Sequence, residues 1–261
     1  MSTSFVGGEH DLRSLAAIVN QERDDLPEKG VPLSLLSDLS EQIPCDYVLF
    51  QGYDTRRNSY WFAQQVPVDD EEPDSASEQQ LDQAMWEHYW DCKPCSYPDR
   101  TGDLRSIVQV TDFYSVREFH STGMYCDLHK PQGFEHHIGL FLPEPPGPEA
   151  EGGRTARLFF LRGPGSAFSE RERALLTLLR PHLQQAFVDA ERQRNPVPDL
   201  TPRHWDLLHL LAAGRTNTQI ARQLGLAEGT VRTHLENIYA RLEVSNRTAA
   251  IIRAFPDRVV A

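Results

Sequence analysis

The sequence predicts two domains of different class. Residues 1–193 read as an α+β domain with an antiparallel sheet flanked by helices, and residues 200–261 as an all-α domain of four helices. Three observations lead there. Helical and strand-like periods are interleaved up to Arg192, whereas from Thr201 onward only helical spacing occurs. Between them "RNPVPDL" carries two prolines, so residues 194–199 are read as a linker.

In order along the chain, residues 12–22 and 32–42 have helical spacing. Residues 47–53 and 60–66 alternate as strands on either side of the turn-forming "DTRRN". A helix is expected over 78–91 and a shorter one over 113–120, followed by strands at 136–142 and 158–162. The Pro-, Gly- and Glu-rich stretch 143–154 lies between those last two strands and is read as a long loop inside one domain. A helix over 170–192 closes the domain. Ser169 and Glu172 form a capping box at its start, and Pro181 is expected to bend it. Leu176, Leu179, Leu183, Ala186 and Ala190 form its apolar stripe, widened by Leu175, Leu178 and Phe187. One side is expected to cover the sheet and the other, with Leu183 and Phe187, to pair with a second copy.

The C-terminal helices are marked more sharply. Thr201-Pro202 is an N-cap and first-turn signal, and Trp205, Leu208, Leu211 and Ala212 keep helical register up to Gly214. Thr216 and Asn217 cap the next helix, which buries Ile220, Ala221 and Leu224 before Gly225 stops it. Val231, Leu235, Ile238 and Leu242 then recur at i, i+4, i+7 and i+11, one narrow buried stripe. The opposite face holds Gly229, Thr233, Glu236, Asn237 and Ala240, with Arg232 on one shoulder and Thr230, His234 and Arg241 on the other. Ser245 is read as the start of the fourth helix, with Ala249, Ile252 and Phe255 on one side.

Two helices around a tight glycine turn, the second with a small and hydrogen-bonding outer face, form a helix-turn-helix suited to the DNA major groove. Arg232, Thr233, Glu236 and Asn237 are the base-edge candidates. Thr216, Asn217, Thr218, Thr230, His234 and Arg241 are the phosphate candidates, the first three because a helix N-terminus attracts anions. Charge separates the two halves. Residues 200–261 carry eight Arg and five acids, net +3, whereas residues 1–199 carry 18 basic and 33 acidic side chains, net −15. Only one end attracts DNA.

The segments "LTPRHWDLLHLLAAG", "TNTQIARQLGL", "EGTVRTHLENIYARLEV" and "NRTAAI" resemble, in order and spacing, the DNA-binding domain of the LuxR family of transcription regulators. That resemblance implies a four-helix domain that binds DNA as a dimer, its third helix in the major groove and its fourth at the dimer contact. Arg232 sits where the family usually has Lys or Arg, and Thr233 and Glu236 fall at its variable groove-facing positions. Glu236 departs from relatives with a basic residue there; it can accept from cytosine N4 or face solvent.

The N-terminal order of elements resembles the GAF-like input domains fused to such readers, in "DFYSVREFHSTGMYCDLHKPQGFEHHIGLFLP", "RLFFLRG" and "FSERERALLTLLRPHL". A GAF-like fold implies a pocket over the sheet or a ligand-free dimerisation module. Twenty-one of the 24 Phe, Tyr and Trp precede residue 200. Tyr47, Trp61, Trp86, Trp90, Phe113, Phe119, Tyr125 and Phe134 are the pocket candidates, for an apolar or aromatic effector. An acyl-homoserine-lactone domain is the alternative, loosely echoed in "YWFAQQVPVDDEEP".

Other chemistries lack their patterns. A phosphorelay receiver needs an acidic pair after a first strand, but Asp24 and Asp25 follow a helix. There is no P-loop, dinucleotide fingerprint, GxSxG or metal triad, so no enzyme and no cofactor are expected. Cys92-Lys93-Pro94-Cys95 has half the ligands of a zinc site, and the four Cys are expected to be reduced in a cytoplasmic DNA binder. His136 and His137 adjoin in a strand and are expected on opposite faces. No run approaches ~20 apolar residues, so no membrane partner is expected. The expected partners are double-stranded DNA, a second copy, a small effector and, for an activator, RNA polymerase.

Overall fold

The computed structural model describes Ile18 and residues 21–67, 75–145, 153–194 and 200–255. The helix expected over 12–22 and the linker therefore lie almost wholly outside the described residues, as does most of the loop between residues 143 and 154. The chain divides into two compact units, with the division between Ala190 and Glu191.

In the first unit, α1 (Leu33–Gln42) leads into β1 (Tyr47–Asp54) and β2 (Ser59–Val66). Helices α2 (Ser75–His88) and α3 (Lys93–Thr101) follow. The short β3 (Val108–Gln109), α4 (Val116–His120) and a π-helical turn at Met124–His129 come next. β4 (His136–Pro143) and β5 (Thr155–Arg162) complete the sheet, and α5 (Glu170–Arg194) follows, its last residues from Glu191 on lying beyond the division. The five strands form one sheet in the order β2-β1-β5-β4-β3, and every paired neighbour is antiparallel.

The period-2 alternation of the strands sorts their residues onto two faces. Val48, Phe50, Ile138, Leu140, Leu158 and Phe160 face α1 and α5, meeting Leu35, Leu36, Leu39, Leu175, Leu176, Leu179, Leu183 and Phe187 in one closed core. Tyr53, Phe141 and Phe159 face the other way, toward Met85, Tyr89, Cys92, Cys95 and Met124. The sheet is thus covered on both faces.

The α5 capping box forms as the sequence predicts: Glu172 N–H donates to Ser169 Oγ at 3.3 Å, and Ser169 Oγ donates back to the Glu172 carboxylate at 2.7 Å. One expectation for α5 needs correction. Leu183 and Phe187 are buried against the sheet, Phe187 meeting Phe50 edge-on and Phe62 at a tilt, so they cannot be a pairing face. The apolar residue that α5 leaves outside is Leu178, 41% exposed.

The second unit is helical: α6 (Pro202–Ala212), α7 (Asn217–Leu224), α8 (Glu228–Arg241) and α9 (Arg247–Ala254). Leu207, Leu208, Leu211, Ile220, Val231, Ile238, Leu242 and Ala250 are fully buried at its centre. Each large aliphatic side chain there contributes on the order of 2 kcal/mol. Asn246, not Ser245, caps α9 by accepting from Ala249 N–H at 2.9 Å. Ala250 and Ala254 are its buried face, supported by Ile251 and Phe255, so the side expected from Ala249 and Ile252 is rotated by one residue.

Candidate nucleic-acid interface and candidate ligand cavity

The turn between α7 and α8 is built from local chemistry. Thr216 Oγ1 accepts from Gln219 N–H at 3.3 Å while Thr216 N–H donates to Gln219 Oε1 at 2.9 Å, a reciprocal box that satisfies two helix-end groups. Gly225 ends α7 at φ 66°, a left-handed conformation that a side chain would strain. Thr218 Oγ1 then donates to Glu228 at 3.1 Å, linking the first turn of α7 to that of α8. Two arginines close helix ends: Arg203 donates to Leu224 O at 3.0 Å, and Arg247 to Leu211 O at 2.8 Å and Arg215 O at 2.9 Å. Their composition signal was positive charge; their use is structural.

With Val231, Leu235 and Ile238 buried, α8 presents Arg232, Thr233, Glu236 and Asn237 outward together. Thr233 Oγ1 donates to Gly229 O at 3.2 Å, which fixes its rotamer. Thr216, Thr218, Thr230 and Arg241 are exposed, and Asn217 is half-buried as the first helical residue of α7, Thr216 alone being the cap. His234 lies apart from this exposed set. It is half-buried, edge-on to the His204 ring at 6.0 Å, with Nδ1 shielded from solvent. Burial, with Arg241 and His234 nearby, lowers the pKa of His204.

On the second face of the first unit's sheet lies a partly open cavity of about 550 Å³. Its floor is the alternate residues Tyr47, Leu49, Gln51 and Tyr53 of β1, with Tyr60 of β2, His137 of β4 and Phe159 of β5. Leu81, Asp82 and Met85 of α2, Cys95 of α3, and Met124, Leu128 and His129 of the π-helical turn form the walls. Two tyrosines and two histidines inside are held in their neutral forms. Burial raises the pKa of Tyr53 and Tyr60. Burial likewise pushes His129 down to about 4 and His137 well below the ordinary histidine value. These two imidazoles stack at 5.1 Å, and neither nitrogen of His137 has a hydrogen-bond partner. His137 is buried and His136 half-buried, on opposite faces.

Beside the floor, on the same face of the sheet, Arg157 is fully buried. It donates to Cys95 O at 2.6 Å, pairs with Asp99 at 2.6 Å, and lies 4.0 Å over the Tyr53 ring. Asp99 also accepts from Tyr89 Oη and Thr55 Oγ1. The buried charge is therefore fully partnered.

Residues 198–254 match the family model described as bacterial regulatory proteins, luxR family. The C-terminal unit is a luxR-family helix-turn-helix domain. Sequence relatives match over part of the chain. A probable transcriptional regulatory protein, SgaR, of Hyphomicrobium methylovorum is 40% identical over 79 residues, 30% of this chain and 37% of that protein. The putative HTH-type transcriptional regulator YhjB of Escherichia coli K12 is 45% identical over 60 residues, 23% of this chain and 30% of its own. The HTH-type regulator MalT of Vibrio campbellii is 35% identical over 79 residues, 28% of this chain and 9% of its own. The chain thus spans well under half the length of these curated relatives.

Beyond the luxR-family domain the likeness is one of fold. The crystal structure of Escherichia coli SdiA covers 97% of this chain and 98% of SdiA at 14% identity and a TM-score of 0.56. SdiA in complex with octanoyl-rac-glycerol covers 98% of this chain and 96% of its own at 15% identity and a TM-score of 0.57.

Of the eight aromatic residues expected in a pocket, Tyr47 and Phe134 line the cavity. Trp86 stands one row back, against Tyr53 at 5.7 Å and Tyr60 at 5.3 Å. Phe113 packs on Tyr97, and Phe119 and Tyr125 belong to a separate small cluster with Val110. Trp90 is 46% exposed. Trp61 lies on the opposite face, stacked on Phe187 at 6.2 Å. The cause is a β-bulge: Gly52 pairs with Phe62 and Tyr53 with Tyr60, leaving Trp61 unpaired and turned over. Gly52 makes room for it, since a Cβ there would meet the Trp61 ring at 2.4 Å. Most of the lining, including Leu81, Met85, Met124, Leu128 and the His129–His137 pair, carried no local signal.

Two further expectations change. Cys92 and Cys95 are bonded to each other, whereas Cys45 and Cys126 are free. The pair also opens a helix: Cys92 is the N-cap residue of α3, which has Pro94 in its first turn and ends at Gly102 with φ 71°. Two prolines in nine residues and no apolar period had hidden α3. Among the described residues no group of three or more metal-ligating side chains exists, and no helix is long and apolar enough to cross a membrane.

Proposed function

We propose that the protein is a sequence-specific, dimeric DNA-binding transcription regulator whose N-terminal unit is a GAF-like sensor holding a small molecule in the sheet cavity. The observation that carries the DNA reading is the outer face of α8: Arg232, Thr233, Glu236 and Asn237 stand exposed together, opposite a fully buried stripe, in a luxR-family domain. Arg232 and Asn237 are suited to guanine and adenine edges, Thr233 to small contacts, and Glu236 to cytosine N4. Thr216, Asn217, Thr218, Thr230 and Arg241 flank them as phosphate contacts, with His234 in a lesser role because its ring is turned partly inward. The net +3 of residues 200–261 is modest, so affinity rests on two linked copies reading half-sites about one DNA turn apart. If the protein activates, RNA polymerase is its further partner.

The cavity supports the sensor reading over a ligand-free dimerisation module: a well-packed unit keeps about 550 Å³ open and lines it with both apolar and polar groups. The fold likeness to SdiA in complex with octanoyl-rac-glycerol favours an acyl-chain amphiphile, acyl-homoserine lactones included, over a purely aromatic effector. Selection of bound DNA from random oligonucleotides, with and without such amphiphiles, tests both parts. Recovery of no enriched sequence under any condition sinks the DNA reading. Enrichment that no amphiphile alters, with no shift in melting temperature, sinks the sensor reading.

A further inference from the structure

The Cys92-Lys93-Pro94-Cys95 segment serves neither the outer face of α8 nor the packing of the closed core. Its two sulfurs are bonded, with the Cα atoms 5.2 Å apart. Both residues are buried, but of the two only Cys95 lines the cavity, which is open to solvent. The backbone beneath them is fixed. Cys95 O accepts from Arg157 at 2.6 Å, and Cys92 O accepts from Ser96 N–H and from Ser96 Oγ, each at 2.9 Å. These bonds do not involve the sulfurs, so the S–S link can open while the main chain still holds both side chains in place. A dithiol kept in this way closes again readily.

We propose that Cys92 and Cys95 are a reversible dithiol–disulfide site that exchanges with low-molecular-weight thiols and disulfides through the cavity, Cys95 being the sulfur that meets them. In reduction, the thiolate of a small molecule attacks Cys95 Sγ. A mixed disulfide forms there as the Cys92–Cys95 bond breaks. Cys92 leaves as a thiolate at the N-terminal end of α3, where the partial positive charge of the helix favours an anion. A second small thiolate attacks the small molecule's own sulfur in the mixed disulfide, releasing a small disulfide and the Cys95 thiolate. The two cysteine thiolates take up the two protons that the two reductant thiols gave up, and two electrons have passed to the protein. Oxidation by a small disulfide runs the same steps backward. The inference stands on the cavity's geometry and is independent of the DNA reading.

The full chain, folded, is treated with dithiothreitol, freed of it, and then alkylated with N-ethylmaleimide in denaturant. Intact mass is expected to show four labels, against two without the reductant, because Cys45 and Cys126 are free throughout. Oxidised glutathione added to the reduced, folded chain is expected to restore the two-label mass. A bond that dithiothreitol opens only after unfolding, or a reduced pair that oxidised glutathione does not close, overturns the proposal. Direction is read in the reduced wild type with limiting N-ethylmaleimide and peptide mapping: Cys95 is expected to react about tenfold faster than Cys92, because its access through the cavity outweighs the readier ionisation of Cys92 at the helix end. Equal rates, or faster Cys92, overturn access through the cavity. Cys92→Ser is expected to trap glutathione at Cys95 and Cys95→Ser to trap none at Cys92; the wild-type measurements decide the matter if either variant fails to fold.

Discussion

The two units carry their candidate functional residues in opposite ways. In the luxR-family domain they stand outward on one helix face, and the core behind them is aliphatic and closed. In the sheet unit they point inward, and the cavity's floor is continuous with a cluster that also stabilises the unit. An outward site separates binding from stability: a groove-facing side chain can be removed without disturbing what holds the helix. An inward site does not, because the groups that shape the cavity also pack the sheet to its helices. The contrast makes definite demands, and four measurements test it.

The largest effect is expected in the sheet unit, where site and fold share residues. Arg157→Met leaves Asp99 and Cys95 O without their buried donor and should cost about 3–5 kcal/mol in urea unfolding. It should also change whatever the cavity binds. A near-neutral result would mean that the buried pair merely fills space and that cavity and fold are separable after all.

Next is the response to pH. His129 is depressed from 6.5 to about 4, and His137 moves in the same direction, both chiefly by burial. The unfolded chain therefore binds protons on these residues that the folded chain refuses. Their stabilisation is fully present above about pH 6.5 and is lost as pH falls from there toward 4, by about 3 kcal/mol for His129 alone. Thermal melts of the wild type and of His137→Gln between pH 7 and 4.5 check this, since the variant should lose less on acidification. Parallel curves would show that the imidazoles titrate normally.

The luxR-family domain should behave in the opposite manner. Arg232→Ala is expected to weaken specific DNA binding by about 1–3 kcal/mol if it reads guanine, with the melting temperature unchanged. A smaller loss, equal for all sequences, would make Arg232 a phosphate contact. Smallest is Thr216→Ala, which removes one half of the α7 capping box and should cost about 1 kcal/mol of stability. Because Thr216 is also a phosphate candidate, DNA titrations on the folded variant show whether it serves both purposes.

How much of each site could be read from the sequence follows the same division. The face of α8 was legible because helical periodicity is a local property: once Val231, Leu235 and Ile238 are inside, Arg232, Thr233, Glu236 and Asn237 must be outside. Caps at Thr201, Thr216 and Ser169 were legible for the same reason. The cavity was not, since its lining comes from four strands, two helices and a π-helical turn that meet only in the folded sheet. Alternation along β1 does place Tyr47, Leu49, Gln51 and Tyr53 on one side, but nothing local says that this side stays open. Trp61 shows the limit most plainly, because one bulge reversed its face.

By itself, then, the sequence determined the helix-turn-helix, its polar outer face and the separation of charge between the two ends, all of which depend on residues within a few turns of one another. Only the tertiary structure decided that Leu183 and Phe187 belong to the closed core, that His129 stacks on His137, and that Cys95 borders an open cavity. These are long-range pairings across the sheet, fixed by strand register and by burial on its two faces, and no local pattern encodes them.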